Sequence, residues 1–150
     1  MICFLRRSRC VWGRDIDMLT LRVADPVGRG FLRPGPPGSA NPRELVVRPV
    51  RGQEHRTLDA VRRADGHWLR PWEATLPAGG GETLSTFPVF LRRQTRRARL
   101  AEAMPFVVEV DGAFAGQIAV DPITWGATRS AQVGYWIGSA WQGRGIMRLA

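Results

Sequence analysis

The sequence predicts an α/β (α+β) fold in which helices flank a mixed, mostly antiparallel sheet. Two β-rich runs, residues 105–110 and 113–120, flank Asp111-Gly112, a dipeptide that tolerates the positive φ angles of a two-residue hairpin turn. Two segments with apolar residues at helical spacing precede this hairpin. Another β-rich run, residues 132–138, follows it after a looser stretch at residues 121–131. A hairpin combined with helical segments favours helices packed on a sheet.

The predicted elements begin at Leu45 and run strand, helix, loop, helix, strand, strand, strand and helix start. LVVRPV, residues 45–50, is a β-branched run in which Pro49 suits an edge or a strand end. Residues 52–69 carry an apolar stripe at helical spacing that is broken near Gly66. The next helix is expected after Thr86, which can cap it. The expected inner face of that helix comprises Phe87, Phe90, Leu91 and Ala98.

Residues 1–44 differ in composition from the rest of the chain. The stretch 28–44 contains four prolines among glycines and small polar residues, which cannot hold a helix and leave few side chains to bury. We expect residues 1–44 to be a flexible, mostly unpacked extension with one candidate strand near residues 18–23, or the product of a start codon assigned too far upstream. Residues 45–150 are expected to form the folded domain.

The charge of the chain is strongly positive but has a simple compositional explanation. The formal net charge is +9 and all 22 basic residues are arginine, a bias that GC-rich codons produce whatever the function. Basic faces also bind nucleic acid by releasing counterions from phosphates, so RNA docking stays open as an alternative. The cluster on the second helix is interpreted as a solvated face. It comprises Arg92, Arg93, Arg96, Arg97 and Arg99.

Composition also bears on membranes, metals and compartment. The mean hydropathy is -0.18, and no stretch approaches the roughly 18 consecutive apolar residues of a membrane span. Cys3 and Cys10 match no zinc-binding pattern with His55 or His67, so no metal site is expected. Two cysteines are too few for a disulfide scaffold. The chain is therefore expected to be cytoplasmic, without contact to a membrane.

Glycines follow the last β-rich run and precede what reads as the first turn of a helix. A strand that enters glycines and then a helix can present N–H groups to a phosphate. Gly138 and Gly143 have P-loop spacing, but Arg144 and Gly145 stand where that loop needs Lys and Ser or Thr. A dinucleotide-binding fingerprint fails because Arg148 replaces the third glycine and hairpin strands precede the loop.

The pattern Gln142-x-x-Gly145-x-Met147 resembles the acetyl-CoA pyrophosphate loop of the GNAT family N-acetyltransferases. That loop has Gln or Arg, two residues, Gly, one residue, and then Gly or Ala, so Met147 departs at the last position. The element order over residues 45–150 is similar to the N-terminal two-thirds of a GNAT domain, an acyl-CoA N-acyltransferase fold. WLRPWEAT, residues 68–75, and GYWIGSAWQGRGIM, residues 134–147, resemble the branch that acetylates ribosomal (alanine) N-termini.

The resemblance implies acetyl-CoA as co-substrate and direct transfer of acetyl to a primary amine. The acceptor implied is the N-terminal α-amine of a protein, ribosomal in this branch, with nucleic acid not a direct substrate. Main-chain groups of Tyr135, Trp136 and Ile137 would pair with the pantetheine arm, and Gln142 would shape the start of the loop. The pyrophosphate would be wrapped by Gly143, Arg144, Gly145, Ile146, Met147 and Arg148.

Two residues between the predicted helices are candidates for the acceptor side. Glu73 can attract the cationic amine or help to deprotonate it, and Trp72 can line the acceptor groove; the alternatives are a solvated Glu and a packing Trp. A GNAT domain continues with a fifth strand and a further helix. We therefore expect a sheet that is incomplete after its fourth strand and the start of its third helix, and an inactive, poorly stable fragment. The alternative function is a non-enzymatic, arginine-rich RNA- or ribosome-associated module.

Overall fold

The computed structural model describes residues 19–34, 38, 40–51, 54–72 and 86–150, and only the backbone of residues 55, 87, 88 and 91. These residues form a five-stranded sheet in the order β1-β2-β3-β4-β5, with every neighbouring pair antiparallel. The predicted fold class, an antiparallel sheet with flanking helices, is confirmed. The strands are β1 Leu21–Ala24, β2 Glu44–Pro49, β3 Met104–Val110, β4 Ala113–Thr124 and β5 Ser130–Ile137. The helices are α1 His55–Ala64, α2 Gly66–Leu69, α3 Phe87–Arg99 and α4 Ile146–Leu149, with 3-10 turns at Arg70–Trp72 and Ser139–Trp141.

Part of the N-terminal region belongs to the sheet. β1 pairs with β2, with Leu21 opposite Val47, so the candidate strand near residues 18–23 is present. The Asp25 carboxylate accepts a hydrogen bond of 3.0 Å from the N–H of Gly28, which closes a turn. After this turn Leu32 is buried, with 4% of its surface exposed. Residues 21–24 therefore belong to the sheet and Leu32 belongs to the core, while most other side chains of residues 19–34 are exposed.

The predicted hairpin joins β3 to β4. Asp111 and Gly112 have φ angles of 50° and 78°, both in the left-handed region that such a turn requires. β4 is longer than expected, because it continues to Thr124 through an irregular register between Val120 and Ile123. The stretch at residues 121–131 thus adds to β4 and opens β5, where a looser connection was expected.

Helices α1 and α3 pack on one face of the sheet, while residues 25–32 and α4 pack on the other. Side chains alternate along β3, so that Val107 contacts Leu58 of α1 and its neighbours face away. The larger cluster lies on the second face and is completed by α4. It comprises Leu32, Leu45, Val47, Phe106, Val108, Val110, Ala115 and Ile146.

The helices lie where the sequence predicts them, but the predicted capping of α3 is absent. α1 ends at Ala64 and α2 begins at Gly66, so the predicted break is confirmed. Thr86 stands at the N-cap of α3, but its side chain makes no capping hydrogen bond. Ala98 is buried as expected, and Gln94 is buried beside it. Among the described residues no helix is long and apolar enough to cross a membrane.

Candidate functional site

The site is built around the loop that connects β5 to α4. At the end of β5 the N–H of Gly138 still donates to the carbonyl of Ala115 in β4, at 2.8 Å. The chain then makes a 3-10 turn and reaches Gly143 and Gly145, whose φ angles are 75° and 85°. Both glycines adopt the left-handed conformation that other residues rarely take. This backbone path lets α4 begin directly at Ile146.

The main-chain N–H groups of residues 143–147 form an unpaired row. None of these five groups donates a hydrogen bond to another residue in the described part of the chain. Internal pairing starts only at Arg148, whose N–H donates to the carbonyl of Gly145 at 3.1 Å. Successive unpaired N–H groups in a turn of mixed handedness form a concavity suited to an anion. The predicted phosphate-binding loop therefore has the backbone donors that the prediction needs.

The side chains of the loop divide between the core and the surface. Ile146 is 1% exposed and belongs to the larger core cluster, and Met147 packs against the same cluster. The large side chain at position 147, where the family pattern has a small residue, is thus accommodated by packing against the core. Gln142 and Arg148 are exposed, and the guanidinium of half-buried Arg144 lies 5.4 Å from the centre of the Trp141 ring.

Two long-range contacts hold the loop in place. The Asp65 carboxylate accepts hydrogen bonds from the N–H of Ser139 at 2.9 Å and from its hydroxyl at 2.7 Å. The carbonyl of Arg144 accepts a bond of 3.1 Å from the N–H of Arg33, which follows buried Leu32. Sequence reasoning singled out none of Asp65, Ser139 and Arg33. No local pattern marks them, because their partners lie far away along the chain.

Tyr135, Trp136 and Ile137 lie at the end of β5, whose pairing partner within the described residues is β4 alone. In an antiparallel pair, alternate residues turn their backbone N–H and C=O groups away from the partner, so this segment offers free main-chain groups at its outer edge. The Trp136 indole N–H donates to Gln117 at 3.1 Å, and its ring tilts against Phe114. Trp136 therefore contributes its side chain to packing and only its backbone to the edge.

The acceptor-side candidates are less well placed. Trp72 is 84% exposed at the end of the 3-10 turn Arg70–Trp72, and no described contact joins it to the loop. Glu73 lies outside the described residues. The structure therefore brings residues 142–148 and the end of β5 together, and it shows Trp72 exposed at the surface.

A buried ion cluster lies on the helix side of the sheet. Arg48 of β2 is 9% exposed and donates hydrogen bonds to both Glu54 and Glu109. Burial alone would raise the pKa of Glu54, but hydrogen bonds from the Arg48 guanidinium and the N–H of Arg51 bring that pKa below its ordinary value. The bond to Glu54 likewise raises the pKa of Arg48. The cluster ties the start of α1 to β2 and β3.

The helix α3, which carries the arginine face, packs on the opposite face of the sheet from α4. Arg97 is paired with Asp121 and Glu102, so its charge is compensated. A cleft of about 470 Å³ is lined by Arg92, Thr95, Arg96, Arg99 and Leu100. In the described part of the chain, no group of three His, Cys, Asp or Glu side chains is arranged to hold a metal ion.

Comparison with known proteins finds solved structures of the same fold. The sequence matches no protein-family model and no curated protein. Among solved structures, it is 34% identical to Mycobacterium smegmatis RimJ in complex with CoA-disulfide, over 69% of this chain and 50% of that one, with a TM-score of 0.57. A ribosomal-protein-S5-alanine acetyltransferase from Vibrio fischeri is 24% identical over 71% of this chain and 58% of that one, with a TM-score of 0.59.

A third structure shares the fold but is named for a different role. The microcin C7 self-immunity acetyltransferase MccE, in complex with acetyl-CoA and AMP, is 18% identical over 69% of this chain and 56% of that one, with a TM-score of 0.55. This chain thus spans about half the length of the structures that it matches. Strand order, the loop between β5 and α4, and the identity to RimJ agree with the resemblance found in the sequence. The chain has the fold of the GNAT N-acetyltransferases.

Proposed function

We propose that this protein is an acetyl-CoA-dependent N-acetyltransferase and that the loop at residues 142–148 binds the pyrophosphate of acetyl-CoA. The observation that supports this most directly is the row of unpaired N–H groups between residues 143 and 147. Such donors bind anions without a dedicated side chain. Arg144 and Arg148 add positive charge at the same loop, which favours a ligand that carries phosphates.

The backbone at the end of β5 suits the other part of the same ligand. We propose that free main-chain groups of Tyr135, Trp136 and Ile137 pair with the amide groups of the pantetheine arm, as a neighbouring strand would. Acetyl-CoA would supply the acetyl group as a thioester at the end of this arm. The chain's own contribution is then to orient the thioester and to donate an N–H to the oxygen on which negative charge develops.

For the acceptor we propose a primary amine, and specifically the N-terminal α-amine of a ribosomal protein. The support is the identity to RimJ and the likeness to a ribosomal-protein alanine acetyltransferase. Trp72 would line the acceptor groove, and Glu73 would attract or deprotonate the amine. Both ribosomal proteins and acetyl-CoA are found in the cytoplasm, where we expect the protein to act.

The loop assignment is tested by acetyl-CoA binding, measured by isothermal titration calorimetry. Gly143 has φ of 75° and an added Cβ would meet no atom within 4 Å, so both Asn and Asp fit there. Gly143→Asp places a carboxylate beside the pyrophosphate and should weaken binding at least tenfold, on the order that like charges impose. Gly143→Asn is the uncharged control and should bind within about twofold of the parent chain.

A second control separates local from general charge effects. Gly126 also has a positive φ, of 99°, and an added Cβ there meets no atom within 4 Å, but it lies in the β4–β5 connection. Gly126→Asp should leave acetyl-CoA binding unchanged. Equal losses for Gly126→Asp and Gly143→Asp, or no binding by the parent chain, would contradict the loop assignment.

The acceptor is tested with two peptides of the same sequence. One has a free N-terminal alanine and no lysine, and the other has a blocked N-terminus and one internal lysine. Any acetyl transfer, followed by mass spectrometry, should fall on the first peptide and not on the second. The same assay tests the expectation that this chain alone is inactive, because robust turnover on either peptide would contradict it. Transfer to the lysine peptide alone would refute the α-amine assignment while leaving acetyl-CoA binding intact.

A further inference from the structure

We propose that Asp65 is a positioning residue for acetyl-CoA binding, which it serves by fixing the point where the chain leaves β5 and enters the glycine loop. This inference rests on the proposed function of the loop. Asp65 lies 74 residues before Ser139 in the sequence, and its carboxylate accepts both the N–H and the hydroxyl of that residue. Charged acceptors make stronger hydrogen bonds than neutral ones, and a bidentate arrangement also fixes orientation.

The two consecutive N–H groups after β5 have different partners. The N–H of Gly138 donates to Ala115 in β4, and the N–H of Ser139 donates to Asp65 beyond α1. The backbone therefore passes from the sheet to a helix end within one residue. A Cβ at Gly138 would lie 3.1 Å from the Asp65 carboxylate, so glycine permits this close approach.

Asp65 is itself held by its own backbone. Its N–H donates to the carbonyl of Val61 at 3.0 Å, which closes the last turn of α1. Its carbonyl accepts the N–H groups of Trp68 and Leu69 at 2.8 Å and 2.9 Å, which opens α2. Every polar group of Asp65 is thus engaged. The helix segment that leads to Trp72 and the loop that begins at Ser139 share this one anchor.

The contact between Asp65 and Ser139 sets the fraction of molecules in which the loop is competent to bind. Without the anchor, the chain after Gly138 can take other paths, and the apparent affinity falls in proportion to the competent fraction. Asp65→Ala should raise the dissociation constant for acetyl-CoA about tenfold. Asp65→Asn should restore most of the affinity, because the amide oxygen can accept the Ser139 N–H while the amide NH2 donates to the hydroxyl oxygen.

The experiment measures acetyl-CoA dissociation constants by calorimetry at a temperature well below each variant's melting temperature. Ser139→Ala, which removes only the hydroxyl contact, should weaken binding less than Asp65→Ala. The double variant should bind no more weakly than Asp65→Ala alone, since the contact is already lost. Asp59→Ala is the matched control, because it removes a carboxylate from α1, the helix that ends just before Asp65, and that carboxylate pairs only with exposed Arg63 among the described ion pairs.

The outcomes separate the two proposals. If the parent chain binds acetyl-CoA and Asp65→Ala binds it equally well, the role of Asp65 is refuted while the loop assignment stands. If the parent chain does not bind, the proposed function fails first. A loss of affinity shared by Asp65→Ala and Asp59→Ala, or one that Asp65→Asn does not repair, would also overturn the positioning role.

Discussion

Gly116 of β4 limits how closely the last two strands can approach each other. It pairs with Ile137 at the end of β5, where the candidate site begins. A Cβ built at Gly116 would lie 3.0 Å from the Cα of Ile137 and closer still to the carbonyl oxygen of Trp136. Both neighbours are backbone atoms and cannot rotate away. Gly116→Ala should therefore force the strands apart.

The size of the effect follows from these contacts. Non-bonded carbon atoms rest at about 3.5 to 4.0 Å, so β5 must withdraw by about half an ångström or more. The next backbone bond, from the N–H of Gly138 to Ala115, is 2.8 Å long and lies directly beside this point. Overpacking of this kind costs about 1 to 3 kcal/mol, part of it through weakened main-chain hydrogen bonds.

Chemical denaturation gives the free energy of unfolding, and calorimetry gives the acetyl-CoA affinity. Gly116→Ala should lower both, because it displaces the end of β5 and the start of the loop together. Gly134→Ala is the control: Gly134 lies in β5, its φ is not positive, and an added Cβ meets no atom within 4 Å. A Gly116→Ala variant as stable as Gly134→Ala would refute the geometry. A destabilised Gly116→Ala variant with unchanged affinity would refute the link between β5 and binding.

Three further predictions concern other parts of the molecule. Glu54→Gln should lower the free energy of unfolding by about 1 to 3 kcal/mol at neutral pH. Since the pKa of Glu54 is lowered from 4.5, the folded state resists protonation of this carboxylate, and the parent chain should lose more stability than the variant as pH falls below about 4.5. Acid denaturation measures this difference, with Glu44→Gln as the exposed control. Trp72→Ala should reduce peptide binding and leave acetyl-CoA affinity unchanged; a loss of both would place Trp72 at the cofactor loop. Replacing Arg96 and Arg99 of α3 with Glu should lower single-stranded RNA binding, measured by anisotropy, no more than the same change at Arg29 and Arg43, whereas a selective loss would support the RNA-binding alternative.

Elements with strong local signals were predictable from the sequence. The Asp111-Gly112 hairpin was, because the φ angles of its turn are accessible to few residue pairs. The break near Gly66 was also predictable, since the apolar stripe of α1 loses its period there. The glycine loop after β5 was predictable for a similar reason, because its spacing and its position after a strand depend only on neighbouring residues.

The N-terminal turn was missed because its stability comes from distant partners. β1 has four residues and gains its hydrogen bonds from β2, while Leu32 is buried by a cluster drawn from β2, β3, β4 and α4. Composition alone therefore predicts too little order for this segment. One local signal was present: in Asp25-Pro26-Val27-Gly28, Asp and Gly stand at the ends of a common turn. The Asp25 carboxylate closes this turn by accepting the N–H of Gly28.

Local sequence signals reveal the chemistry of the candidate site, whereas contacts between distant segments determine its position. Gly143, Gly145 and the arginines of the loop provide conformation and charge, and a short pattern reveals them. The loop's location depends instead on Asp65, on Arg33 and on burial of Ile146 in the core, and these contacts join segments far apart in the chain. A loop with the right pattern but without these contacts would keep its N–H groups and lose their fixed direction relative to β5. If the loop binds acetyl-CoA as proposed, affinity depends on both, and substitutions at positions without any motif should affect binding as strongly as substitutions within the loop itself.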